Sequence, residues 1–374
     1  MAKRVILAVA GAGKTYHICH EIDPVKRNLI LAFTHENIYN IQKELCDAHG
    51  SVPELTTVST FDSFVYHQMV LPYEPSISEY FSCPEFVSCG ICTIDPPQKS
   101  ICGRNGKKIS NPHYFKKDKL AHYITNGQQY YCATLSELVL QVKLNHKSLI
   151  ERVAARLNLF YDCVLIDEFQ DFREYDYDLI MTLSKKLNDI ILVGDYYQHS
   201  VSATNNSGKP FKNKSRDVSY DEFIIELRKF GFEVDLNTLD KSRRCSKDIC
   251  KYVREKLGIN IESHGKNKGS VVWVEENISE ILDNQQIIKL VYKDASKYTF
   301  RAMNWSYSKG NTMDAVCVIL TDNFEKLSEE SFSTDKISSS TLNKLYVAMT
   351  RSKGTLYLIK ASVFKPLRSI YTTK

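Results

Sequence analysis

Nowhere in these 374 residues does an apolar run approach the roughly 18 residues needed to cross a membrane, so no transmembrane segment is expected. No secretory leader is expected either. In "MAKRVILAVAGAG" the apolar stretch "VILAVA" is shorter than the roughly 7–15 residues of a signal core, and cleavage near Ala12 would destroy the Gly-Lys-Thr that follows. There is no basic tail, no internal repeat and no long low-complexity segment, which argues against a solenoid or a disordered chain. Tryptophan is scarce, with 2 residues. Cysteine is not: there are 11, an odd number, and several sit inside apolar runs such as "DCVLID" and "AVCVIL". That usage suits reduced thiols and a cytoplasmic location rather than a disulfide framework.

What is present has the balance of a globular protein, with 43% hydrophobic and 25% charged residues. The length exceeds one ordinary core, so two or three domains are expected. A net charge of +5 tolerates a polyanionic partner without demanding one. Short continuous apolar runs recur: "RVILAVA", "NLILAFT", "YDCVLIDE", "DIILVGD", "AVCVILT" and "TLYLIKA". Separated by helical segments, such runs predict parallel strands buried on both faces, hence an α/β fold. Between about 67 and 155 the style changes to clustered Pro and Cys and then the basic "GRNGKKISNPHYFKKDK", which reads as an inserted subdomain. A polar loop is expected at 202–217, then a helix over "YDEFIIELRKFG", with a second α/β unit from about 232 onward.

Five segments carry chemistry. "AVAGAGKT" places Ala8, Val9, Ala10, Gly11, Ala12, Gly13, Lys14 and Thr15 between a strand and a helix, the context of a phosphate-binding loop. Lys14 would reach the β- and γ-phosphates, and Thr15 would offer its hydroxyl to Mg²⁺. In "VLIDEFQD", Asp167 ends a buried strand where Mg²⁺ is held in such proteins, and Glu168 is suited to activate water. An acidic turn that merely caps the strand is the bland alternative. In "ILVGDYYQHS", the neutral Gln198 can hydrogen-bond a water or a γ-phosphate. Arg244 in "LDKSRRCS" and Arg351 in "LYVAMTRS" are candidates to offset charge at the transferred phosphate, surface salt bridges being the alternative.

Taken in order, "AGAGKT", "LAFTHEN", "VSTFDSF", "LIDEFQD", "LVGDYYQ", "LDKSRRCS", "SKGNTMDAV" and "LYVAMTRS" resemble the motif series of UvrD/Rep-like superfamily 1 DNA helicases. An Ala often opens the phosphate loop in that family, as Ala8 does here. The resemblance implies two RecA-like parallel-sheet P-loop domains that bind ATP in the cleft between them and step along single-stranded or partly duplex DNA, typically 3′ to 5′. Its domain boundaries would be 1–66 plus 156–231 for the first domain, 67–155 for the insertion and 232–374 for the second. By position it makes Lys14, Glu168, Gln198, Arg244 and Arg351 catalytic, and Thr15 and Asp167 ligands of Mg²⁺. It adds Gly310 near the nucleotide, and Phe33, Thr34, Thr60 and Ser63 as contacts to DNA.

Several positions depart from that pattern. Only seven residues precede Ala8, so the family's adenine-reading glutamine motif is not seen, and Arg243 stands where an aromatic usually stacks on the base. Ala203 replaces a base-stacking Trp, Asp62 replaces a His, "KGNT" replaces "KGLE" and Ser306 holds another His position, with Trp305 nearby as a substitute stacker or a core residue. About 60 residues separate Arg244 from "SKG", too few for the family's large accessory subdomain, so a minimal motor is expected. Cys83, Cys89, Cys92 and Cys102 in the insertion are a candidate Cys₄ zinc site, with thiols packing a small subdomain as the alternative. The Lys-rich "GKKISNPHYFKKDK" could follow a nucleic-acid backbone or be a solvated loop. Two other functions compete. A nucleotide-dependent switch acting on a protein partner, for example in a phage-defence complex, would keep the ATP site. A small-molecule P-loop kinase would explain neither "DEFQD" nor "GDYYQ" nor "VAMTRS".

Overall fold

The computed structural model describes residues 3–102, 107–144, 146–199, 208–214 and 216–373. Ala203 and much of the polar loop expected at 202–217 lie outside the described residues. Two compact units divide the chain. The first comprises Met1–Val5, Thr15–Val193 and Val201–Val234; the second comprises Ile6–Lys14, Gly194–Ser200 and Asp235–Lys374. The phosphate-loop stretch therefore groups with the C-terminal half. Its backbone explains why: Val9 N–H donates to the Leu239 carbonyl (3.0 Å) and Arg243 N–H donates to the Gly11 carbonyl (2.9 Å).

The larger sheet contains β1 (Lys3–Leu7), β2 (Asn28–Ala32), β3 (Thr56–Thr60), β4 (Cys163–Asp167), β5 (Asp189–Gly194) and β6 (Glu233–Asp235), in the order β6-β1-β5-β4-β2-β3. β4 runs parallel to β2 and β5, and β2 runs parallel to β3. Every residue of β2 is buried, which is what its unbroken apolar run predicts for an inner parallel strand. Register places Ala32 opposite Thr60, so the segments following β2 and β3 emerge side by side. The expected helix after the polar loop spans Tyr220–Lys229, opened by a capping box from Ser219 and Glu222.

The second unit holds β7 (Val271–Trp273), β8 (Ile288–Val291), β9 (Ala302–Asn304), β10 (Val316–Ile319) and β11 (Leu356–Ile359), all parallel, in the order β7-β11-β10-β8-β9. The twofold alternation of strand side chains splits β10 between two cores. Val316 and Val318 pack with Trp305 and with the helices Lys247–Leu257 and Ser339–Met349, whereas Cys317 and Ile319 pack with Leu282, Phe300 and Phe364. Trp305 is fully buried and its indole N–H donates to the Leu290 carbonyl (3.1 Å), so it is a core residue and not a substitute stacker.

Residues 67–155 fall within the first unit. They supply the helices Glu74–Tyr80 and Leu135–Gln141, the start of the helix Leu149–Phe160, and three two-stranded ribbons. Ser136 on Leu135–Gln141 donates to Asp176 on the helix Glu174–Ser184 (2.6 Å), which fastens this stretch to that helix. No helix among the described residues is long and apolar enough to cross a membrane.

Candidate nucleotide and nucleic-acid sites

The phosphate loop follows directly from β1, and Lys14 opens the helix Lys14–Glu21. Gly11 and Gly13 have φ of +71° and +90°, a region open to glycine at little cost. Gly11 has a second reason to lack a side chain, because a Cβ there would lie 2.6 Å from Arg244 Cβ and 2.9 Å from Ser242 Oγ. Ala8, Ala10 and Ala12 are buried, Ala8 N–H donates to the Gly194 carbonyl (2.8 Å), and Ala12 N–H donates to the Val9 carbonyl (3.2 Å). Lys14 is buried, with 8% of its surface exposed.

In the first unit, Thr15 and Asp167 come together: Thr15 Oγ1 donates to Asp167 Oδ2 at 2.7 Å. A hydroxyl and a carboxylate oxygen side by side are the hard donors that Mg²⁺ prefers, so this pair fits a magnesium ion. Glu168 follows in a left-handed conformation (φ 56°, ψ 38°), unusual for a non-glycine residue. Three bonds hold that turn. Glu168 N–H donates to Asp167 Oδ1 (2.9 Å), Asp171 N–H donates to the Glu168 carbonyl (2.9 Å), and the Gln170 side-chain amide donates to Glu168 Oε2.

In the second unit, a hydrogen-bonded set joins the phosphate loop to residues far along the chain. Ala10 N–H donates to the Tyr346 hydroxyl (2.8 Å), and that hydroxyl donates to Asp195 Oδ2 (3.2 Å). The same carboxylate accepts from Gln198 Nε2 (2.7 Å), and Gln198 Oε1 accepts from Arg351 Nη2 (3.5 Å). Burial and the neighbouring Asp195 charge push the Tyr346 phenol well above its ordinary pKa, so it stays a neutral donor. Arg351 is buried, and its Nε donates to the Val347 carbonyl (2.8 Å). Arg244 Nε donates to Thr312 Oγ1 (2.8 Å) and its Nη1 to the Thr350 carbonyl (3.2 Å). Gly310, at φ +86°, has open space where a Cβ would point, and Asn311 next to it offers its carbonyl to Arg351 (3.5 Å). Beside Arg244, the buried Cys245 thiol is drawn below its ordinary pKa, first by hydrogen bonding with Cys250, against desolvation, and with help from the Arg244 charge.

The four residues expected to touch nucleic acid gather at the adjoining ends of β2 and β3. Thr34 Oγ1 caps the helix His35–His49 by accepting from Asn37 N–H (3.1 Å), and Thr60 Oγ1 accepts from Ser63 N–H (3.3 Å) to cap Phe61–Phe64. The half-buried Phe33 stacks on Phe61 (centroids 5.7 Å apart) and meets Phe172 edge-on (5.3 Å). Its ring therefore joins the segments "AFTHEN", "TFDSF" and "DEFQDF" into one aromatic cluster. Asp62, between Thr60 and Ser63, pairs with Arg173, whose Nε also donates to Asp176 Oδ2 (2.6 Å). Burial holds the Asp62 carboxyl above its ordinary value, only partly offset by Arg173.

The cysteine cluster does not assemble. All eleven cysteines are thiols, and among the described residues no three His, Cys, Asp or Glu side chains are grouped to hold a metal. Cys92 lies on a short strand paired with Tyr130–Tyr131, and Cys102 lies on a different ribbon, paired with Lys108. Cys83 and Cys89 are exposed.

Tyr346, Asp195 and Arg173 are the site residues that motif reading passed over as members. Each stands within a quoted motif or two residues beyond one, so the signal was present, but only the fold reveals their partners.

Residues 2–204 match the family described as AAA domain, and residues 141–360 match the viral superfamily 1 RNA helicase core domain. Each match spans more than half of the chain. The chain belongs to the superfamily 1 helicases. Its α/β fold of parallel sheets is the RecA-like architecture of a helicase core, and such domains are NTP-hydrolysing. No curated protein matches the sequence. Among solved structures, this helicase core is similar to the PRRSV helicase, at 14% identity over 99% of this chain and 54% of that one, with a TM-score of 0.43. It is similar also to arterivirus nonstructural protein 10, a helicase, in complex with DNA: 12% identity, 95% of this chain, 60% of that one, TM-score 0.46. A further structure of the arterivirus protein gives 12%, 99%, 62% and 0.44. This helicase core thus spans between 54% and 62% of the length of those helicases.

Proposed function

We propose that this chain is an ATP-driven motor of the UvrD/Rep-like kind that translocates on single-stranded DNA, 3′ to 5′, with two RecA-like domains and residues 67–155 as an insertion. The observation that carries the reading is the set Ala10–Tyr346–Asp195–Gln198–Arg351, which ties the backbone of a phosphate loop to a glutamine and an arginine. A phosphate seated in the loop would contact Ala10's neighbours, and any shift there is felt by Gln198 and Arg351 through buried hydrogen bonds. A motor needs such a linkage, and a passive nucleotide-binding protein does not.

In this reading Lys14 and the loop N–H groups bind the β- and γ-phosphates. Thr15 Oγ1 and Asp167 would hold Mg²⁺, whose charge would offset that of the phosphate oxygens. Glu168, fixed by its turn, accepts the proton of the attacking water. Gln198 orients that water, and Arg244 and Arg351 offset charge on the phosphoryl group. Thr34, Thr60 and Ser63 line the path of the strand, where phosphate contacts suffice for sequence-tolerant binding.

The test is steady-state ATP hydrolysis with and without a 30-nucleotide DNA or RNA strand. Stimulation by DNA is expected, while Lys14→Ala and Glu168→Gln each cost at least about a hundredfold in turnover. Hydrolysis indifferent to any strand would overturn the translocase and leave the protein-directed switch. Stimulation by RNA alone would overturn the choice of DNA.

A further inference from the structure

The positive charge of this protein has an address. Residues 95–122 hold seven Lys or Arg against two Asp. Taking these from the 49 basic and 44 acidic residues of the whole chain leaves 42 of each elsewhere, so the net +5 resides in this one stretch of the insertion. Lys99, Lys107, Lys108, Lys116 and Lys119 are all exposed, and none forms an ion pair with a described residue. Lys117 is different, since its ammonium is bound to the buried Glu137.

The stretch is built around an antiparallel ribbon, Ser100–Cys102 with Lys108–Ser110. Neither face of it is covered: Ile101 and Ile109, paired across it, are 41% and 50% exposed, and Cys102 and Lys108 on the opposite face are exposed as well. An isolated ribbon of this kind is marginal in water without a surface to lie against. Three exposed lysines lie on it or at its ends.

We infer that this ribbon is a docking element for duplex nucleic acid, its lysines meeting the phosphates on either side of a groove. Charge complementarity selects a polyanion. The width of a two-stranded ribbon suits the major groove of a duplex. A single strand is a poorer fit, because strand-binding surfaces stack bases on aromatic rings and this ribbon presents isoleucines. Phe115, the nearest exposed aromatic in sequence, lies beyond it. The inference rests on the motor reading and adds to it a second contact, made by residues other than those of the candidate strand path at Thr34, Thr60 and Ser63.

The experiment compares the full chain with the Lys99→Gln/Lys107→Gln/Lys108→Gln/Lys116→Gln variant, reading affinity for a blunt 20-base-pair duplex and for a single strand across a series of salt concentrations. Each lost phosphate contact lowers the slope of log affinity against log salt by roughly 0.9 for duplex. The variant should therefore flatten the duplex slope by about 3.6 and weaken duplex binding at least about tenfold at moderate salt, with single-strand affinity changed far less. Charge reversal at the same four positions should weaken duplex binding further, and an unchanged melting temperature reports intact folding. An unchanged duplex slope overturns the inference, as does an equal loss for both nucleic acids. If the unsubstituted chain hydrolyses ATP and binds strands but not duplex, the ribbon assignment alone fails. If it neither hydrolyses ATP nor binds strands, the motor reading fails with it.

Discussion

Two residues of the phosphate loop region repay individual attention. Gly11 is constrained twice, by a left-handed backbone and by the approach of Arg244 Cβ. A side chain there costs about 1–2 kcal/mol for the backbone alone, and the arginine must also move. Gly11→Ala is expected to lower the melting temperature and to cut ATP turnover more than tenfold, which a thermal melt and a hydrolysis assay on one preparation would check. Tyr346 carries the link between the loop and Asp195 through one oxygen. Tyr346→Phe keeps the ring and deletes that oxygen, depriving the Ala10 N–H and the carboxylate of it at a cost of about 1–3 kcal/mol. The expected result is a raised KM for ATP with the fold retained. An unchanged KM would mean that the loop holds its shape without the phenol.

Among elements, the helix Glu174–Ser184 and its N-cap link the loop after β3 to residues 67–155. Arg173 at its N-terminus grips Asp62 in the loop after β3, and Asp176 in its first turn grips both Arg173 and Ser136 of the insertion. Asp167 and Glu168 lie only a short turn upstream. Arg173 is thus placed to position the candidate strand-contacting loop relative to the candidate hydrolytic residues Asp167 and Glu168. Arg173→Gln should reduce the stimulation of ATP hydrolysis by DNA several-fold, and Arg173→Lys should restore part of it because a lysine can keep one of the two carboxylate contacts. A merely structural arginine would lower the melting temperature and leave the stimulation ratio intact. A second fastening lies inside the insertion, where Glu137 accepts from His122 (3.2 Å) and pairs with Lys117. Burial pushes the Glu137 carboxyl up, but the hydrogen bonds from His122 and Lys117 outweigh it and hold the group below its ordinary value. A depressed carboxylate stabilises the fold above its unfolded pKa of about 4.3, and that stability is lost as pH falls through the lower folded value. Melting temperatures between pH 6 and pH 3 should therefore fall more steeply for the unsubstituted chain than for Glu137→Gln.

At the scale of the whole molecule, charge and chain order both matter. The four-lysine variant lowers the net charge from +5 to +1, and isoelectric focusing should show the corresponding shift from a pI near 8.5 toward neutrality. The sheets were legible in the sequence because inner parallel strands such as Asn28–Ala32 and Cys163–Asp167 are unbroken apolar runs bounded by polar residues. The placing of Thr15 beside Asp167 was foreseeable because each motif offered a ligand for the same Mg²⁺ ion. The bonds Tyr346–Asp195 and Arg173–Asp62 were not, since no local pattern encodes which distant partner a polar side chain meets. The cysteines misled for a related reason: a C-x₂-C spacing specifies loop length, while the four thiols need a common centre that the ribbons do not give them. The division of the chain into interleaved segments also bears on how the protein is made. The bond from Ala10 to Tyr346 spans 336 residues, so at roughly 5–20 residues per second a ribosome needs on the order of 20–70 s to supply the partner. For that interval the loop around Ala10 lacks its fastening to Tyr346.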